Sequence, residues 1–268
     1  MTQLYKHIET TFTKTIMSTT RKPAIVFVHG SWHTPAHYAP MTTRLTASGY
    51  TVSAAQMPSS GSSGHSNIVA KDIAATRTLI EKHVSAGEDV VVLMHSMGGI
   101  SGSEAAHGFD RRTMGEGNGK GAVVRLIYLA SFLLPVGMSV FKASEGKLDP
   151  HTRLNDDGGV TIIDDAHGWL YGDVDPAVTA PIIASLNRQS FDSWKAEPRN
   201  PAWLDVPSTF ILCEKDQAVP IVYQEMFVEG ARKEGAVIET VRLGTSHSPF
   251  LSRPDELNEV LCGILEKV

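Results

Sequence analysis

Three side chains far apart in the sequence have the types that acyl transfer through a serine requires: Ser96, Asp216 and His247. A serine hydroxyl is a poor nucleophile until a neighbouring imidazole can take its proton. A carboxylate then fixes the tautomer of that imidazole and stabilises the charge it gains. Each of the three lies just past an apolar run. Val90-Val91-Val92-Leu93-Met94 leads into His95-Ser96-Met97-Gly98-Gly99. Phe210-Ile211-Leu212-Cys213 leads into Glu214-Lys215-Asp216, and a run ending at Leu243 leads into Gly244-Thr245-Ser246-His247. The small residues after Ser96 permit a tight strand-to-helix turn, which would hold the serine in a strained backbone with its hydroxyl above the sheet edge. Glu214 is a rival for the acid role, nearer to its strand.

A serine nucleophile also needs donors for the oxyanion. The run Ala24-Ile25-Val26-Phe27-Val28 ends in His29-Gly30-Ser31-Trp32. The expected donors are the backbone N–H of Ser31 and that of Met97, which follows the nucleophile and opens a helix whose positive end favours an anion.

Such residues meet only if the chain brings several strand ends to one rim. Apolar runs at 24–28, 50–55, 90–95, 122–130, 206–213 and 237–243 read as strands. Helical spacing at 37–48, 67–84, 97–107, 221–234 and 253–267 fills the gaps between them. This alternation predicts an α/β fold with a mostly parallel, doubly wound sheet, whose active site lies at the carboxyl ends of the strands. It breaks once, where some seventy residues between Pro135 and Leu204 show helical fragments and no clear core strand. That is too long for a loop and reads as a helical cap inserted before the strand that carries the acid. The expected organisation is a poorly ordered extension at 1–22, a core at 23–135 and 205–268, and the cap at 136–204.

At 268 residues, with 42% hydrophobic and 20% charged residues, the chain suits one large domain with a sizeable core. A net charge of −5 offers no footprint for nucleic acid or an anionic membrane. No window has the apolar length of a membrane span. Two cysteines, Cys213 and Cys262, give no disulfide framework, and the first twenty residues lack the apolar stretch of a secretory signal. A cytoplasmic protein is the simpler reading, with a small-molecule substrate, no cofactor and no metal. A homodimer is left open. His29, His33 and His37 recur every four residues, but Gly30 and Pro35 interrupt any helix that would put them on one face.

His29-Gly30, the turn at Ser96, Asp216 and His247 together resemble the α/β-hydrolase superfamily over nearly the whole chain from Pro23. Leu170-Tyr171-Gly172-Asp173 and Leu186-Asn187-Arg188-Gln189-Ser190 resemble, within it, the plant methylesterase and hydroxynitrile lyase family and its microbial esterase relatives. The resemblance favours Asp216 over Glu214 as the acid. Lyases of that family carry threonine where this chain has Gly30 and lysine where it has Ser248, so the resemblance implies an esterase-type hydrolase. One departure stands out: Met94 occupies the position where the family's turn begins with glycine, and a bulky side chain there must find room between strand and helix.

The expected activity is hydrolysis of an ester or lactone of a small to medium hydrophobic molecule through an acyl-enzyme on Ser96. Trp32, Phe132, Leu133 and Trp169 are candidate walls of an apolar pocket. Two alternatives keep different parts of this reading. One uses the same triad for C–C cleavage, lactonisation or acyl transfer; the other is a non-catalytic binder of small molecules.

Overall fold

A computed structural model describes residues 21–63, 67–115, 119–162 and 164–268. The expected disorder of the N-terminal extension lies outside these residues for positions 1–20. The strands are β1 (Ala24–Val28), β2 (Val52–Ala54), β3 (Val90–His95), β4 (Val123–Leu129), β5 (Thr152–Leu154), β6 (Gly159–Ile162), β7 (Gln189–Ser190), β8 (Ser208–Cys213) and β9 (Ile238–Leu243). Six of them form one sheet in the order β2-β1-β3-β4-β8-β9, with every pairing parallel.

The runs of β-branched residues explain this sheet. β1, β3 and β8 are buried along their whole length, as strands covered on both faces must be. Alternate residues feed two separate apolar layers. Val26, Val28, Val92, Met94, Tyr128 and Phe210 enter one layer. Ile25, Phe27, Val91, Leu93, Ile127 and Ile211 enter the other. The helices Ile68–Ser85, Gly98–Ala106 and Ile221–Lys233 contribute to the first layer, and Ala39–Ala47 and Pro254–Leu265 to the second.

The chain leaves β1 for β2 on one side and reaches β3 on the other. The direction of winding therefore changes between β1 and β3, and a crevice opens at their carboxyl ends. Ser31 follows β1 and Ser96 follows β3, so both lie at that crevice.

The segment between β4 and β8 carries the expected helices, at Ala166–Tyr171, Pro176–Ala184 and Phe191–Trp194. It also contains a three-stranded antiparallel sheet, β5-β6-β7, which the sequence pattern does not announce. The strands are two to four residues long, too short to show a period-2 pattern. The glycine-rich stretch at 108–121, which reads as a plain loop, holds a short helix, Arg111–Met114, capped by the Asp110 side chain on Thr113 N–H. Positions 116–118 of it lie outside the described residues. No helix among the described residues is long and apolar enough to cross a membrane.

Candidate active site

Ser96 has φ of 53°, in the left-handed region that non-glycine residues avoid. Such a conformation costs roughly 1–3 kcal/mol and persists only where surroundings impose it. The imposing contacts are visible. The Ser131 hydroxyl (2.6 Å) and the Phe132 N–H (3.1 Å) both donate to the Ser96 carbonyl, and the Ser96 N–H donates to Leu129 O. The following glycines permit the close approach of the helix. A Cβ on Gly98 would lie 2.5 Å from Val28 O, and one on Gly99 would lie 2.2 Å from Phe132 O.

Met94 finds its room in the same way. A Cβ on Gly102, one turn along the helix, would stand 2.7 Å from both Cγ and Sδ of Met94. The glycine that the family keeps on the strand is in effect supplied here from the helix, and Met94 is completely buried. At Gly30, a Cβ would lie 2.8 Å from the Ser96 Cβ and 3.0 Å from His95 Nδ1. A threonine at this position would need the elbow itself to shift.

Asp216 and His247 meet at the carboxyl ends of β8 and β9, with His247 Nδ1 2.7 Å from Asp216 Oδ2. A carboxyl oxygen accepts, so Nδ1 carries the proton and Nε2 is left as the basic nitrogen. Asp216 is itself fixed: Oδ1 accepts from Ala218 N–H and Val219 N–H, and Oδ2 also accepts from Gln224 Nε2. Glu214, the rival acid, is half exposed and pairs with Arg242 instead. Ser96 Oγ and His247 Nε2 form no hydrogen bond with each other in this structure.

His95 ties the elbow to the histidine. Its ring centroid is 4.6 Å from that of His247, and its Nε2 is 2.9 Å from His247 O. A carbonyl only accepts, so His95 Nε2 is the donor and its Nδ1 accepts from Tyr38 O–H at 2.7 Å. The Tyr38 phenolic oxygen (Oη) in turn accepts from Gly30 N–H. One chain of hydrogen bonds therefore links the ends of β1, β3 and β9. Burial, reinforced by the neighbouring His247, holds the His95 ring well below the usual imidazole range, so it stays neutral.

The loop after β1 is set by neutral histidines as well. His33 Nδ1–H donates to Ser31 O and His33 Nε2 accepts from Tyr171 O–H, both at 2.7 Å. Burial lowers its pKa to about 3. His29, lowered by burial to about 4, donates from Nδ1 to Gly30 O and accepts Met57 N–H at Nε2. His37 turns the other way, toward Ser185, so the nitrogens of the three rings point to separate partners. Neither Ser31 N–H nor Met97 N–H donates to an acceptor among the described residues, and both residues line one small cavity of about 20 Å³.

Of the four candidate wall residues, none lines that cavity. Leu133 is packed in the hydrophobic layer with Met94, Tyr128 and Trp203. Phe132 is half-buried against Phe227. Trp32 and Trp169 pack together, ring centroids 5.4 Å apart, in the core of the cap, with Met97 against that cluster. Trp32 also has a left-handed backbone (φ 62°) and is laced to the cap: its N–H donates to Gln189 Oε1, its indole N–H to Val160 O, and its carbonyl accepts Asn187 N–H.

Four polar residues shape the site in roles that the sequence does not assign: Tyr38, Asp72, and Asp173 and Gln189, which lie in the stretches that resemble the family's. Asp173 of the cap accepts both the N–H and the hydroxyl of Ser246, next to His247. Asp72 leaves a local physical signal. It stands in the stripe Ile68, Asp72, Thr76, Ile80 that the helix buries, where a carboxylate is out of place. The partners of the others are remote in sequence.

The sequence profile of the alpha/beta hydrolase family matches residues 25–260, and the chain belongs to that family. By that membership it is a hydrolase-class enzyme. It is 35% identical over 241 residues to "Alpha/beta hydrolase nvfD" of Aspergillus novofumigatus, covering 87% of this chain and 93% of that one. It is 25% identical over 256 residues to "Probable hydrolase R7" of a Phoma species, covering 90% and 97%. Among solved structures, the Arabidopsis methylesterase protein MES16 superposes with a TM-score of 0.69 at 22% identity, covering 92% of this chain and all of that one. Polyneuridine aldehyde esterase gives 0.69 at 18% identity, covering 91% and 99%. At such identities these two show the shared fold.

Proposed function

We propose that the chain is a serine hydrolase that cleaves an ester or lactone of a small to medium hydrophobic molecule. Ser96 attacks the acyl carbonyl while His247 Nε2 takes its proton. Asp216 holds the tautomer and stabilises the imidazolium. The N–H groups of Ser31 and Met97 receive the oxyanion. His247 returns the proton to the leaving alcohol, which departs as the carbonyl reforms. It then draws a proton from water, whose oxygen attacks the acyl-enzyme, and Ser96 leaves with that proton.

The observation that carries this reading is the strained Ser96 beside a His247–Asp216 pair, joined to it through His95. The absence of lysine after His247 and of room for threonine at position 30 supports ester cleavage over cyanohydrin chemistry. The relatives named as hydrolases and esterases point the same way. The test is a panel of acyl esters and lactones assayed with wild type and Ser96→Ala. Turnover by wild type that the variant loses supports the reading, and a variant that keeps most of the activity contradicts it.

A further inference from the structure

The small cavity beside Ser31 and Met97 has a carboxyl group in its wall that the triad does not use. Asp72 is 4% exposed and reaches the cavity from the second turn of the helix Ile68–Ser85. Its Oδ1 accepts the Ser59 N–H at 2.9 Å, and the Ser59 hydroxyl also bonds to the carboxyl. No lysine or arginine pairs with it among the described residues. The histidine in the same wall, His29, is neutral and has both nitrogens occupied. A buried carboxylate without a counter-charge is costly, so the group calls for a further donor or a proton. Consistent with this, burial pushes the Asp72 carboxyl up to about 6.

Beyond Ser59, no hydrogen bond to the Asp72 carboxyl forms among the described residues. Gln189 has its amide fixed, with Oε1 on Trp32 N–H and Nε2 on both Ser59 Oγ and Ser193 Oγ. The Ser193 hydroxyl is committed to Ser190 O. The cavity, about 20 Å³, has room for a single water-sized group. It shares its wall with the two N–H groups assigned above to the oxyanion. A group lodged there belongs to the part of the substrate close to the scissile carbonyl.

We propose that this cavity is a subsite for one hydroxyl or ammonium group of the substrate, with Asp72 as its acceptor, and that the preferred substrates are hydroxy- or amino-substituted esters or lactones. This rests on the hydrolase reading for the identity of the ester, while the subsite itself is a matter of binding. A substrate donor here would satisfy Asp72, and an ammonium would also neutralise its charge. A plain alkyl substrate would leave that carboxylate unpaired, so discrimination comes from the orphaned group as much as from the added contact.

The experiment compares ethyl hexanoate with its analogues carrying a hydroxyl or an ammonium at carbon 2 or carbon 3. Each is measured for kcat/KM with wild type, Asp72→Asn and Asp72→Ala, and for Kd with Ser96→Ala and Ser96→Ala/Asp72→Ala proteins. The expected result is that at least one substituted ester is favoured by about tenfold or more in both measurements, roughly one hydrogen bond to a charged group. That preference should collapse in Asp72→Ala and survive in part in the isosteric Asp72→Asn, which keeps an acceptor. The position of the favoured substituent, and hydroxyl against ammonium, separates the substrate classes. Esters bound and cleaved alike, or a preference that persists in a folded Asp72→Ala protein, overturns the proposal. If wild type cleaves nothing yet the Ser96→Ala protein still binds a substituted ester through Asp72, the hydrolase reading falls and the subsite stands.

Discussion

The rim of the parallel sheet and the cap above it are built by different means. At the rim, position comes from backbone. Ser96, Asp216 and His247 follow strands of the parallel sheet, and the strain at Ser96 is imposed by hydrogen bonds to its own carbonyl. In the cap, strands are short, one helix carries an internal proline, Pro181, and side chains join backbone hydrogen bonds in attaching it to the rim. Tyr171 reaches His33, Gln189 reaches Trp32 and Ser59, and Asp173 reaches Ser246. The lesson is a division of labour: the sheet fixes Ser96, Asp216 and His247, and the cap fixes loops after β1, β2 and β9 that flank them. Substitutions at the rim should therefore abolish chemistry, whereas substitutions in the cap should tune it.

The largest expected effect is at the rim. Ser96→Ala should lower turnover by about 10⁴-fold or more while leaving the thermal unfolding transition in place, because the triad acts as a unit. A loss below about tenfold would remove the rim from the chemistry.

The next effect is on stability against pH. Burial holds His29 at about 4 and His33 at about 3, below the ordinary 6.5. The unfolded chain then binds protons that the fold refuses, so their contribution is complete above about pH 6.5 and is lost as the pH falls toward 3. Asp72 acts in the opposite sense, raised from 3.8 to about 6. Its stabilising contribution is present below about pH 4 and is lost as the pH rises through 6, by on the order of 3 kcal/mol at most. Urea unfolding of Asp72→Asn should accordingly show a gain over wild type that is larger at pH 8 than at pH 4. A gain independent of pH would mean that Asp72 does not titrate in this range.

A smaller effect sharpens the account of the rim's one departure from its family. Gly102→Ala should cost about 1–3 kcal/mol through overpacking against Met94. Much of that cost should vanish in the Met94→Ala background, a coupling that a double-mutant cycle in urea would read. Strict additivity would mean that the two positions do not compete for space. In the cap, Asp173→Asn should lower kcat by about tenfold, the size of one lost charged hydrogen bond beside His247. KM should move less than kcat. An effect as deep as that of Ser96→Ala would erase the distinction between rim and cap.

The same division explains what the sequence made legible. The strands and helices of the core follow from unbroken β-branched runs and helical spacing, because a parallel sheet covered on both faces demands them. The elbow could be read from Ser96 and its glycines, and the pairing of Asp216 with His247 from their places after β8 and β9. Three features were not legible. The cap sheet rests on strands too short to carry a period. The accommodation of Met94 depends on Gly102, which looks like an ordinary helical residue until the helix is placed against the strand. Leu133 reads as a pocket wall by type, yet the turn after β4 sends it into the core. In each case the deciding partner is brought near only by the folded chain.

The central claim is that Ser96 is a nucleophile activated by His247. The most direct measurement is intact-protein and peptide mass spectrometry after reaction with a fluorophosphonate. The account predicts one adduct, on Ser96, formed by wild type, absent in Ser96→Ala and slowed by about 10³-fold or more in His247→Ala. No adduct on the folded wild-type protein, an adduct on another residue, or labelling of Ser96 at an unchanged rate without the imidazole would contradict it.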